Sequence, residues 1–132
     1  MPSHHKPPAV DPHELRSAVL SIADWIAAPD STPKPPKSQL AAAVRLSAQT
    51  LASVAPGRSV ELRIPPYVAV QCIAGTHHSR GTPPNVVEVS PAVWMRLVAG
   101  HMSFDEAIES GDVDASGIRA AAIGRWLPLV PL

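Results

Sequence analysis

The residues best able to do chemistry are the paired histidines His4-His5 and His77-His78, the single thiol Cys72, the amide Gln71, and the charged side chains Arg80 and Glu88. Adjacent histidines on extended backbone point in different directions and rarely chelate one ion together. A metal centre would need further ligands supplied by the fold. The His4-His5 pair reads more simply as solvated side chains, and no His–carboxylate motif stands beside His77-His78 to favour metal or acid–base chemistry there, so the sequence predicts neither a metal nor a cofactor. Catalysis by a small hydrolase or isomerase-like enzyme would require His77, Arg80 and Glu88 to converge in one cleft, which their spacing does not announce.

Cys72 lies between Gln71 and Ile73 in an apolar run. It reads as a small buried hydrophobe rather than a nucleophile, since no Lys lies near it in sequence to lower its pKa. Gln71 in the same run needs partners, either a buried backbone group or a ligand. Arg80 belongs to Arg80-Gly81-Thr82-Pro83-Pro84-Asn85. A phosphate cradle would run several glycines into a helix N-terminus, whereas this loop leads prolines into a strand. It is either a rigid turn in which Asn85 bonds local backbone, or a place where Arg80, with His77, meets an anion or a polar head group.

The elements that must position these residues are marked along the chain. Residues 1–10 read as a mobile arm. Asp11-Pro12-His13-Glu14 supplies a helix cap, a first-turn proline and an acidic third position. Leu15, Val19, Ile22 and Ile26 then follow at helical spacing, with Trp25 beside them, to about Ala28. Pro29 to Lys37 is a Pro-rich linker, which makes 11–37 an N-terminal helix with its tether and 38–132 the main domain. Ser38 restarts a helix with Leu40, Val44, Leu51 and Val54 on its apolar side, ended by Pro56-Gly57. Val60, Leu62 and Ile64 alternate with polar residues as a strand with one wet face. Tyr67 to Ile73 is more continuously apolar and predicts a strand covered on both faces. Ala74 to Pro84 is a loop, Asn85 to Val89 a third strand and Asp112 to Ser116 a short fourth. Ser90 with Pro91, and Gly100 at the far end, bracket one short helix. Ser103 with Glu106, and Gly111, bracket another. Ile118 to Leu127 predicts a last helix. The order is that of an α+β layered domain.

Composition narrows the function. The chain has 132 residues, enough for one domain with a single real core. Eleven basic and eleven acidic residues leave no net charge, which argues against nucleic-acid binding through a basic footprint. A lone cysteine precludes an internal disulfide and a cysteine-based zinc site. No signal peptide and no integral membrane segment is visible, so the expected address is cytoplasmic.

The closing third resembles the C-terminal half of the sterol-carrier-protein-like domain. The likeness rests on Ser90, Trp94, Leu97, Gly100, Ala107, Gly111, Val113 and Gly117. A nearer likeness, to the small stand-alone version found in actinobacteria, adds Val70-Gln71-Cys72-Ile73 and the stretch from Arg80 to Glu88. It covers roughly residues 38–127. Ser90 departs from the wider family, where an acidic residue is more common, but both types cap helices. The resemblance implies a mostly antiparallel sheet covered by helices, here with an extra N-terminal helix. It also implies non-catalytic binding of an apolar ligand (a fatty acyl chain, a lipid or a sterol-like molecule) between sheet and helices. The implied walls are Val68, Val70 and Cys72 from the sheet and Trp94, Leu97, Val98, Ile108 and Leu127 from the helices, with Gln71 nearby and Arg80 at the polar end. Related domains are fused behind a helical thiol-dependent enzyme domain, as in maleylpyruvate-isomerase-like proteins. The alternative is therefore an interaction or dimerisation module with a filled core, pairing as a homodimer or with a partner through a sheet edge or the first helix.

A magnitude sharpens that choice. Burying ten methylenes is worth roughly 8 kcal/mol gross, enough for micromolar binding. An empty void of roughly 300 Å³ would cost on the order of 7 kcal/mol, as much as a typical domain's whole stability. Such a chain must keep its tunnel filled, open it on demand, or have lost it.

Overall fold

The structure, a computed structural model, describes residues 9–75 and 85–132. His4, His5, His77, His78 and Arg80 lie outside the described residues. Asp11 opens helix α1 (Pro12–Leu20), its carboxylate accepting from the His13 N–H at 2.9 Å. The helix expected to reach Ala28 instead breaks at Ser21, whose hydroxyl donates to the Ala18 carbonyl, and a short α2 (Ala23–Ala27) follows. The break has a packing reason. On one continuous helix Trp25 would sit roughly 90° from the stripe of Leu15, Val19, Ile22 and Ile26. With the break, all five are buried. Arg96 fixes the unit from the other side, donating to the Ile26 and Ala27 carbonyls at 3.0 Å each and so capping the end of α2.

Helix α3 (Lys37–Val54) follows the Pro-rich linker and buries Leu40, Val44 and Leu51 as its spacing predicts. Val54, the last residue of that stripe, stays 46 % exposed at the helix end. The strands are β1 (Val60–Ile64), β2 (Val68–Cys72), β3 (Asn85–Val89) and β4 (Val113–Ser116), in the spatial order β2-β1-β3-β4. The β1–β2 and β3–β4 pairs are antiparallel, and the central β1–β3 pair is parallel. Register puts Val60, Leu62, Ile64, Cys72, Val87, Val89 and Val113 on one face, all buried in the core. The other face carries Gln71, Glu61 and Arg63, Glu88 and Asp114 toward solvent, with Arg63 paired to Glu61. The domain is thus α+β with helices on one side of a mixed sheet. β2 departs from expectation: it is an edge strand, covered on one face only. Its apolar run does not report two-sided burial because the outward positions are Ala69 and the amphipathic Gln71.

The end of β2 is locked to the start of β1. The Ile73 carbonyl accepts from the Ser59 N–H at 3.1 Å and from the Ser59 hydroxyl at 2.7 Å, while the Ile73 N–H donates to the Ala55 carbonyl at 2.7 Å. Gly57 passes so close that a Cβ there would lie 2.1 Å from the Ile73 oxygen, with φ at +154°. Only glycine fits that approach.

Beyond the sheet, the caps fall where the sequence puts them. In α4 (Pro91–Ala99) the Ser90 hydroxyl accepts from the Val93 N–H, and Gly100 ends the helix at φ +82°. In α5 (Phe104–Ser110) the Ser103 hydroxyl accepts from the Glu106 N–H, and Gly111 ends it at φ +80°. The last helix is shorter and tighter than expected, a 3-10 helix over Ala120–Trp126, and Ile118 stands outside it, 98 % exposed.

Candidate functional site

The residues expected to line a pocket are divided among the core, the inner face of the edge strand and the outer face of the sheet. Trp94 is fully buried on α4. Its Nε1–H donates to Ser47 Oγ on α3 at 2.8 Å, and Ser47 donates back to the Ala43 carbonyl at 2.7 Å. The indole therefore packs between α3 and α4 with its one polar atom satisfied. Cys72, Leu97 and Val98 are equally buried. Val68 and Val70 are half-buried on the inner face of the edge strand, and Ile108 is half-buried against the core. Gln71 projects from the opposite face of the sheet, where its Oε1 accepts from Arg58 Nε at 3.1 Å. Glu88 shares that outer face and is exposed. Neither shares a face with Val70 or Cys72.

Burial pushes the Cys72 thiol up to about 12, so almost no thiolate forms at neutral pH. A disulfide reagent such as Ellman's reagent at pH 8 is expected to leave the folded chain unmodified and to titrate one thiol once denaturant is added. Stoichiometric labelling of the folded protein, followed by absorbance, would contradict that burial.

An open groove of about 510 Å³ lies where the end of α4, the start of α5 and the 3-10 helix meet. Leu97, Met102, Phe104 and Leu127 give it an apolar floor. His101, Asp105, Glu106 and Arg125 stand around them. Of the residues named from sequence, Leu97 and Leu127 line this groove. Met102 and Phe104 were not foreseen. One local signal points to Phe104, the glycine inside the last helical stretch. A Cβ on Gly124 would come within 3.1 Å of Phe104 Cβ, so the bare backbone lets the 3-10 helix settle against the aromatic ring. Among the described residues no group of three or more His, Cys, Asp or Glu side chains is placed to hold a metal ion. No described helix is long and apolar enough to cross a membrane.

No curated protein matches this chain. A protein-family model described as "bacterial SCP ortholog" matches residues 36–129, from the start of α3 to just past the 3-10 helix, leaving α1 and α2 outside it. That span is well over half of the sequence, and the chain belongs to this family of bacterial sterol-carrier-protein orthologues.

Proposed function

We propose that this protein binds an apolar ligand, such as a fatty acyl chain, a lipid or a sterol-like molecule, and carries it through the cytoplasm without chemical change. The observation that supports this most is the groove floored by Leu97, Met102, Phe104 and Leu127 in a sterol-carrier-type domain. Its volume falls in the range of small-molecule sites. Each methylene of a chain that the floor fully covers would contribute roughly 0.8 kcal/mol gross. In this proposal Leu97 and Leu127 touch the ligand. Trp94, Val98 and Cys72 act behind them as the packed support, and the polar end of the ligand meets the rim near Arg125. Arg80, the anchor expected from sequence, stays an alternative for that end. Sterol-carrier-like domains are generally carriers rather than catalysts, which favours binding over the enzyme that His77, Arg80 and Glu88 would have formed.

Titration with dansyl-labelled undecanoic acid, followed by displacement with unlabelled fatty acid, tests the proposal. Saturable micromolar binding is expected. Ala121 is exposed and lines the groove, so Ala121→Trp fills the site from outside the core. That variant is expected to weaken binding about tenfold or more with little change in melting temperature. No saturable binding at tens of micromolar, or undiminished binding by Ala121→Trp, would sink the proposal.

A further inference from the structure

We infer that the groove is matched to an amphiphile with a zwitterionic head group, an ammonium beside an anionic oxygen group, rather than to a simple fatty acid. The inference rests on the proposed binding of an apolar chain in this groove, and it names the class of molecule that would carry the chain.

The two walls of the groove bear opposite charge. Asp105 and Glu106 belong to α5, and Arg125 belongs to the 3-10 helix. Each sign stands at the helix end that favours it, the acids in the first turn and the base in the last. The walls meet where Gly124 lies against Phe104, since a Cβ on Gly124 would come within 3.1 Å of Phe104 Cβ. Asp105 and Arg125 are the next residues along each wall, so charges of both signs flank one contact. They do not neutralise each other. Among the described residues the one ion pair is that of Arg63 with Glu61, on the outer face of the sheet. Asp105, Glu106 and Arg125 are all exposed, and all line the groove.

Unpaired charges of both signs above an apolar floor discriminate among head groups. A carboxylate alone would meet Arg125 but also the carboxylates of Asp105 and Glu106. An alkylammonium alone would meet those carboxylates but also Arg125. A head group of both signs offers each wall its opposite, while the chain lies on Leu97, Met102 and Leu127. Because the rim is exposed, each charge contact changes affinity only a few-fold. The chain supplies the affinity and the rim supplies the choice.

Displacement of dansyl-labelled undecanoic acid by lauric acid, dodecyltrimethylammonium and dodecylphosphocholine tests the inference, because these share one chain length and differ in charge. All are used below micelle formation and at pH 8, where an imidazole is neutral. Dodecylphosphocholine is expected to displace the probe at concentrations about fivefold or more below either of the others. Asp105→Asn with Glu106→Gln keeps side-chain size and removes the negative wall. That variant is expected to weaken dodecylphosphocholine about fivefold and to strengthen lauric acid. Arg125→Gln is expected to weaken dodecylphosphocholine and lauric acid and to strengthen dodecyltrimethylammonium. Damage to the groove would weaken all three ligands alike, so the opposed directions report head-group contacts. If the dansyl probe itself shows no saturable binding, the groove reading fails and takes this inference with it. If the probe binds but lauric acid or dodecyltrimethylammonium displaces it as well as dodecylphosphocholine does, the head-group inference alone is overturned. It is likewise overturned if neutralising either wall shifts all three ligands in one direction.

Discussion

Replacing Trp94 by alanine is expected to lower unfolding free energy by about 4 kcal/mol, at the upper end for a single core truncation. The side chain is fully buried among α3, α4 and the sheet core. Ser47 keeps its bonds to the Ala43 and Val44 carbonyls when the indole is gone, so no buried polar atom is orphaned. The loss comes from packing and from the hole left behind. Trp94→Phe separates these contributions, since it removes the Nε1–H to Ser47 but keeps much of the volume. It is expected to cost roughly 1–2 kcal/mol. Urea unfolding at constant m-value measures both. The same alanine variant should admit benzene or xenon, while the wild-type protein should not. If Trp94→Ala cost less than about 1.5 kcal/mol, the indole would be lining an existing hole rather than filling one. The carrier site would then move back between sheet and helices.

That experiment bears on what the sequence could reveal. Asp11, Ser90, Gly100, Ser103 and Gly111 were legible because a cap acts within one turn of its own residue. The break at Ser21 was hidden because the stripe of Leu15, Val19, Ile22 and Ile26 runs through it, and only the demand to bury Trp25 as well disrupts the helix. β2 was misjudged for a non-local reason. Whether an apolar strand is central or at an edge depends on its neighbours, and Gln71 took the solvent side with Arg58 as its partner. The closing helix pattern was visible, but Gly117 at φ +97° and Gly124 against Phe104 tightened and shortened it. For the candidate site, Leu97 and Leu127 were reachable from helical spacing and family likeness. Met102 and Phe104 were not, because the groove exists only where three elements separated in sequence come together.

Asn85→Ala is expected to cost about 3 kcal/mol and to loosen the groove from a distance. Asn85 is buried at the first position of β3. Its Nδ2 donates to the Ser59 carbonyl at 2.7 Å and its Oδ1 accepts from the Arg119 N–H at 2.9 Å. One side chain thus joins the start of β1, the start of β3 and the entry to the 3-10 helix. Alanine leaves the Ser59 carbonyl without its amide donor in a buried setting and frees the Arg119 N–H, and each unmet group carries about 1–3 kcal/mol. The consequence reaches the groove because Arg119 leads directly into Ala121, Gly124 and Arg125, which form one of its walls. Hydrogen exchange at the Arg119 amide should therefore accelerate, and fatty-acid affinity should fall several-fold, though Asn85 touches no ligand. Gln71→Ala is the matched control. It removes an amide of similar size whose one side-chain partner is the exposed Arg58, so a change within about 0.5 kcal/mol and unaltered binding are expected. If the two variants behaved alike in urea unfolding and amide exchange, the Asn85 staple would carry none of the weight assigned to it. The 3-10 helix would then be held against α5 by Phe104 and Ile123 packing alone.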